Sequence, residues 1–247
     1  MAAKREDKDM FDYLHHFLFG ILPYVALAVF FVGSLIRFDR EQYTWRSGSS
    51  QLLRKNQLMI GSVLFHVGIL MLFMGHFVGL LTPHEVYEAL GVSVPSKQML
   101  AVTVGGIFGV VCFVGLTILL HRRLADPRIR GTSSPMDIFI LCLLWVQLSL
   151  GLVTIPFSLQ HMDGSVMLLL SEWAQRIVTF RSGASELVTD VSLSYKLHIV
   201  MGLIMFMVFP FSRLVHIWSA PVWYLFRRGY QIVRTRQPSS GVRRPLP

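Results

Sequence analysis

Apolar residues along this chain gather into five long runs, at 17–36, 58–81, 99–120, 136–159 and 193–219, parted by polar segments in which arginine recurs. A helix needs roughly 20 apolar residues to cross the hydrocarbon of a bilayer, and each run meets that length. The pattern predicts an all-α integral membrane bundle of five transmembrane helices over 17–236. An extension at 1–16 precedes it, and a loose tail rich in proline, serine and arginine follows at 237–247. The first run is not expected to be a cleaved signal peptide. Its apolar core is too long, no small-residue cleavage pattern follows, and Arg37 comes straight after. Most connections are short, so successive spans should pack as antiparallel neighbours. The exception is 160–190. There Val166, Met167, Leu170, Trp173, Ile177 and Phe180 form a stripe, with Ser171, Glu172, Gln175 and Arg176 opposite. This predicts a short helix lying in the outer interface.

Composition supports the membrane reading. Of 247 residues, 53% are hydrophobic and 15% charged, against about 25% charged in a soluble domain, and the mean hydropathy is +0.54. The net charge of +9 raises nucleic acid as a partner, but the basic residues sit between the runs and form no aromatic-interleaved face, so that partner is excluded. They report orientation instead. Arg37, Arg40, Arg46, Arg54 and Lys55 follow the first span, and Arg122, Arg123, Arg128 and Arg130 follow the third. Arg227, Arg228, Arg234, Arg236, Arg243 and Arg244 follow the fifth. These three regions share one side, expected to be cytoplasmic, which leaves the N-terminus periplasmic and the C-terminus cytoplasmic. The opening segment, with three basic and four acidic residues between Lys4 and Asp12, largely cancels. Cys112 and Cys142 both lie inside apolar runs, which excludes a disulfide framework or a cysteine-bound iron–sulfur cluster.

Four of nine histidines lie within the runs: His66 and His76 in the second, His198 and His216 in the fifth. One such histidine is explained by a hydrogen bond to a neighbouring helix. Four, divided evenly over two spans with almost no acid nearby, ask for more, because ionisable groups in apolar spans are costly. Haem b ligated on both faces uses one neutral imidazole from each of two facing helices. Antiparallel second and fifth spans would pair His66 with His216 toward the cytoplasm and His76 with His198 toward the outside. The ten residues between His66 and His76 span about 15 Å, and the eighteen between His198 and His216 about 27 Å. A bend at Pro210 offers one way to reconcile them. On a continuous helix eighteen positions return to one face, whereas ten leave an offset of roughly 80°, so the two haem planes should not be parallel. Zinc and di-iron sites would want carboxylates or compact HxxxH or ExxH clusters, which the spans lack.

Glycines flank the second-span histidines at Gly61, Gly68, Gly75 and Gly79 and recur in the third span at Gly105, Gly109 and Gly115. Close helix packing explains such residues, and beside histidines a missing side chain also makes room for a flat ligand. A quinol site near the outer boundary needs a proton acceptor, for which His84, His161 and Lys97 are candidates. Arg37, Arg122 and Arg213 are placed to meet either haem propionates or lipid phosphate.

These residues closely resemble the gamma subunit, a cytochrome b, of respiratory membrane-bound nitrate reductases. The landmarks are Gln42-Tyr43-Thr44-Trp45-Arg46, Leu64-Phe65-His66-Val67-Gly68, Gly75-His76-Phe77-Val78-Gly79, Leu81-Thr82-Pro83-His84, Thr154-Ile155-Pro156-Phe157-Ser158, Gln160-His161-Met162-Asp163-Gly164-Ser165 and Ser212-Arg213-Leu214-Val215-His216-Ile217-Trp218. The resemblance implies a multi-pass subunit of the cytoplasmic (inner) membrane serving nitrate respiration. Its partners would be an iron–sulfur beta subunit and a molybdenum-containing alpha subunit on the cytoplasmic face. It implies two haem b groups, the proximal one on His66 and His216 and the distal one on His76 and His198. Menaquinol or ubiquinol would be oxidised near the periplasmic side, at a site including Lys97, Gly75 and His76. The extension at 1–13 inherits no role. Two rivals are a related di-haem cytochrome b serving a sulfur-metabolism or heterodisulfide-type reductase, and a haem-free membrane scaffold.

Overall fold

The computed structural model describes residues 2–45, 53–219 and 226. Five helices in it are long and apolar enough to cross a membrane, and no strand occurs among the described residues. The tail expected at 237–247, and Arg46 and the six arginines beyond the fifth span, lie outside the described residues.

The first span begins earlier than its apolar run. Helix α1 (Ala2–His16) passes through one π turn (Phe17–Ile21) into α2 (Leu22–Arg40). Residues 8–40 make a 33-residue helical path, about 50 Å long at 1.5 Å per residue against a hydrocarbon thickness near 30 Å. The polar start of this path, with Lys8, Asp9 and Asp12, remains helical although it breaks the apolar pattern. Pro23 accounts for the π turn: it has no N–H for the Phe19 carbonyl, and its ring crowds that oxygen. The freed carbonyl accepts a buried hydrogen bond of 3.0 Å from Trp173 Nε1.

The second span is α3 (Lys55–Leu81), followed by the short α4 (His84–Ala89), and the third is α5 (Val94–Ala125). A short α6 (Pro127–Gly131) leads to α7 (Pro135–Gln160), the fourth span. There Ser134 and Asp137 form a capping box that satisfies two backbone donors. Next comes α8 (Ser165–Val178), and α9 (Leu193–Val208) opens the fifth span. Around the bundle α3 packs on α5, α5 on α7, α7 on α9 and α9 on α2. Helices α3 and α9 face each other without such close backbone packing.

Glycines set the tightest of these crossings. A Cβ added to Gly68 would fall 2.5 Å from Cys112 Cβ, and one on Gly115 would fall 2.8 Å from the Gly61 carbonyl oxygen. Gly61, Gly68 and Gly115 therefore serve the approach of α3 to α5. Gly75, Gly79 and Gly105 differ, since an added Cβ there meets nothing within 4 Å. The second-span glycines thus divide into a packed half and an open half.

The fifth span is not one helix to Ser219. After Val208 come a 3-10 turn (Phe209–Phe211), an extended Ser212 and a second 3-10 stretch (Arg213–Ser219) that carries His216. Pro210 starts the break, and Gly33 of α2 makes room for its ring: a Cβ on Gly33 would lie 2.9 Å from Pro210 Cγ. Arg37 holds the opened backbone by donating from Nη1 to the carbonyls of Pro210, at 2.7 Å, and Ser212, at 2.8 Å. The eighteen-residue helical ruler from His198 to His216 therefore does not apply. His198 to Val208 alone covers about 15 Å, equal to the rise from His66 to His76, and the rest of the chain turns where a helix would have advanced.

The connection at 160–190 also departs from expectation. Of the stripe, Trp173 and Ile177 are buried, Val166, Met167 and Leu170 are half-buried and Phe180 is exposed, while Ser171 on the opposite side is buried. Ser171 Oγ donates to Gly79 O at 3.2 Å, and Gln175 Nε2 donates to Leu80 O at 3.1 Å and Thr82 O at 3.2 Å. The last carbonyls of a helix lack intrahelical partners, and α8 supplies them to α3. Before α8, the Ser165 hydroxyl and then the Ser165 backbone N–H hold the Asp163 carboxyl below the usual carboxylate range.

Candidate functional site

The four intramembrane histidines meet as two pairs across the bundle. The ring centres of His66 and His216 lie 6.5 Å apart with their planes at 71°, and those of His76 and His198 lie 6.1 Å apart at 45°. These are the pairs that antiparallel spans required. On α3, His66 Nδ1 lies 2.7 Å from Ser62 O and 3.2 Å from the Ser62 hydroxyl, and His76 Nδ1 lies 2.8 Å from Leu72 O. His216 Nδ1 lies 2.6 Å from Arg213 O. A carbonyl can only accept, so Nδ1 carries the proton in these three rings and Nε2 keeps its lone pair. For His198 the Nδ1 atom is buried without a hydrogen-bond partner.

The separations test whether a metalloporphyrin fits. A metal–imidazole bond of about 2 Å on each face, plus about 1.1 Å from each nitrogen to its own ring centre, sets two axial imidazoles about 6.3 Å apart. Distances of 6.1 and 6.5 Å bracket that value. Two neutral nitrogens on opposite faces are also the full set such an iron takes from the protein. The residues present fit two haems.

Beside the His66–His216 pair, Asp137 lies between two guanidinium groups, 3.5 Å from Arg123 Nη1 and 3.6 Å from Arg213 Nε. Arg122 is buried and donates from Nη2 to Leu53 O at 2.6 Å. Arg37, expected to meet propionates or phosphate, donates from Nη1 to the backbone of the fifth span and from Nη2 to Thr44 O at 3.2 Å.

At the opposite end Lys97 is buried, with Nζ 3.9 Å from the centre of the Tyr87 ring, a cation–π contact. The Tyr87 hydroxyl donates to Val78 O at 2.9 Å, which ties Lys97 to the turn of α3 just beyond His76 and beside the open face of Gly75 and Gly79. Neighbouring Gln98 donates to Ser158 O at 3.1 Å, and the Ser158 hydroxyl lies 2.7 Å from that of Tyr195, three residues before His198. Of the other two acceptor candidates, His84 pairs with Glu88 at 3.1 Å and His161 sits exposed at the end of α7. Tyr87 and Ser62 were not singled out from the sequence. The i, i+4 spacing of Ser62 and His66 was a usable signal, but nothing local links Tyr87 to a lysine ten residues on.

Fold and geometry together define a multi-pass helical membrane protein built around two cross-bundle histidine pairs. The chain belongs to the nitrate reductase gamma subunit family, whose model matches residues 15–236. It is 53% identical over 225 residues to the respiratory nitrate reductase 1 gamma chain of Escherichia coli (strain K12), covering 91% of this chain and 99% of that one. Against the respiratory nitrate reductase 2 gamma chain of the same organism it is 51% identical over 228 residues, or 92% of this chain and all of the other. Against the nitrate reductase gamma chain of Bacillus subtilis (strain 168) it is 40% identical over 219 residues, which is 89% and 97% of the two chains.

Proposed function

We propose that this chain is the di-haem cytochrome b subunit of a respiratory nitrate reductase, oxidising quinol near the periplasmic side of the inner membrane. It would anchor an iron–sulfur beta subunit and a molybdenum-containing alpha subunit on the cytoplasmic face. The observation that carries the reading is the pair of cross-bundle imidazole separations, 6.5 and 6.1 Å, each of which would suit one haem iron held by two histidines. Bound there, the haems supply one-electron carriers in series across the membrane.

The chain's own residues do the rest. His66 and His216 would hold the proximal haem, with Ser62 and Arg213 carbonyls fixing their Nδ1 protons and directing Nε2 inward. His76 and His198 would hold the distal haem, with the Leu72 carbonyl doing the same for His76. Oxidising one quinol releases two electrons and two protons. Lys97, held over Tyr87, would hydrogen-bond a quinol oxygen, and the bare backbone at Gly75 would leave space beside His76 for a flat ring. The arginine-rich connections favour the His66–His216 end as cytoplasmic, so protons would leave on the opposite side.

Reduced-minus-oxidised spectra of membranes holding the assembled complex test this directly. Two b-type centres are expected in the parent protein. His76→Ala should lose one of them together with quinol-dependent nitrate reduction, and full quinol-dependent activity in that variant would refute the electron route.

A further inference from the structure

On α7 and α9, two polar side chains each rest on a glycine of the opposing helix. A Cβ on Gly151 would lie 3.0 Å from His198 Cε1 and 3.5 Å from its Nδ1, and one on Gly202 would lie 3.3 Å from Gln147 Nε2. Gln147 and Gly151 are four residues apart, as are His198 and Gly202, so each pair shares a helix face and the two faces mesh where α7 packs on α9. Two buried polar atoms at this crossing lack hydrogen-bond partners: Nδ1 of His198 and Oε1 of Gln147. In His66, His76 and His216, by contrast, Nδ1 meets a carbonyl within its own helical segment. The main-chain carbonyl of Gln147, one helical turn before Gly151, lies near the His198 ring without completing a hydrogen bond to Nδ1.

We propose that Gly151 is a positioning residue for His198: its missing side chain lets the imidazole lie against the backbone of α7, beside the Gln147 carbonyl, so that the fourth span aims Nε2 toward His76. The inference rests on reading the His76–His198 pair as haem ligands. Three of the four rings are then oriented by their own segments and one by a neighbouring helix. A methyl group at 151 presses on a ring tethered to α9. A methyl at 202 presses only on the end of a flexible amide, which can move aside.

The test compares Gly151→Ala with Gly202→Ala in the assembled complex in membranes, by reduced-minus-oxidised spectra and redox titration of both b-type centres. Gly151→Ala should shift the band and midpoint potential of one centre, the one missing from His76→Ala, and leave the other in place. Gly202→Ala should leave both unchanged. An unaltered pair of centres in Gly151→Ala, or equal shifts in both variants, overturns the proposal. If Gly151→Ala lowers the yield of assembled complex, the ratio of the two centres in what remains is read. Selective depletion of the centre missing from His76→Ala supports the proposal, and equal depletion or selective loss of the other centre overturns it. Absence of any b-type band from the parent protein would instead defeat the haem reading on which the proposal stands.

Discussion

Lys97 poses the sharpest energetic question at the scale of single residues. A buried ammonium is costly unless something compensates it, and its contact here is the face of Tyr87. A cation on an aromatic face is held by the ring quadrupole, which fixes the ammonium while leaving its N–H donors available. Replacing Lys97 by alanine should keep both b-type centres and weaken a quinol-site inhibitor by about 10- to 100-fold, the worth of one hydrogen bond to a charged group. Inhibitor titration of the membrane-bound complex measures this, and an unchanged affinity would remove Lys97 from the site. The histidine pairing was legible in the sequence because span direction alone determines it. Tyr87 and Gly151 were not, since each matters through a partner brought near only by tertiary packing.

Among the elements, the spans themselves were readable to within a few residues, because twenty apolar positions leave little choice of structure. Three features escaped. The start of the first span extends through Lys8, Asp9 and Asp12, which interrupt the apolar pattern without ending the helix. The fifth span breaks after Val208, where Pro210 marks the place in the sequence but the clamp from Arg37 does not appear in it. Helix α8 turns Ser171 and Gln175 onto the end of α3, although periodicity assigned them to the polar side. The division among the α3 glycines carries a prediction. Gly68→Ala places its methyl within 2.7 Å of the Cys112 backbone, so α3 and α5 must separate, at a cost of about 1–3 kcal/mol. Gly79→Ala meets nothing within 4 Å and should be close to neutral. Thermal unfolding in detergent, followed by loss of the b-type bands, should fall in midpoint for the first variant and not for the second.

For the molecule as a whole, the arrangement is a wall of helices running from α3 through α5, α7 and α9 to α2, with imidazoles joining its second and fifth spans. One side of that junction is the unbroken helix α3, and the other is jointed at Ser212. The joint lets two unequal sequence separations, ten residues and eighteen, meet at two matching heights. Sequence alone registered the mismatch and could not say which span would yield.

The bare stretch of α3 at Gly75 and Gly79 has a kinetic corollary. On the proposed quinol reading, a reactant docking there would arrive sideways from the surrounding oil and not as a solute in buffer, so its effective concentration would be its mole fraction among the lipids. Diluting proteoliposomes with inert phospholipid, at fixed total quinol and enzyme, should slow turnover at subsaturating quinol, whereas diluting the same vesicles with buffer should leave the rate per enzyme unchanged.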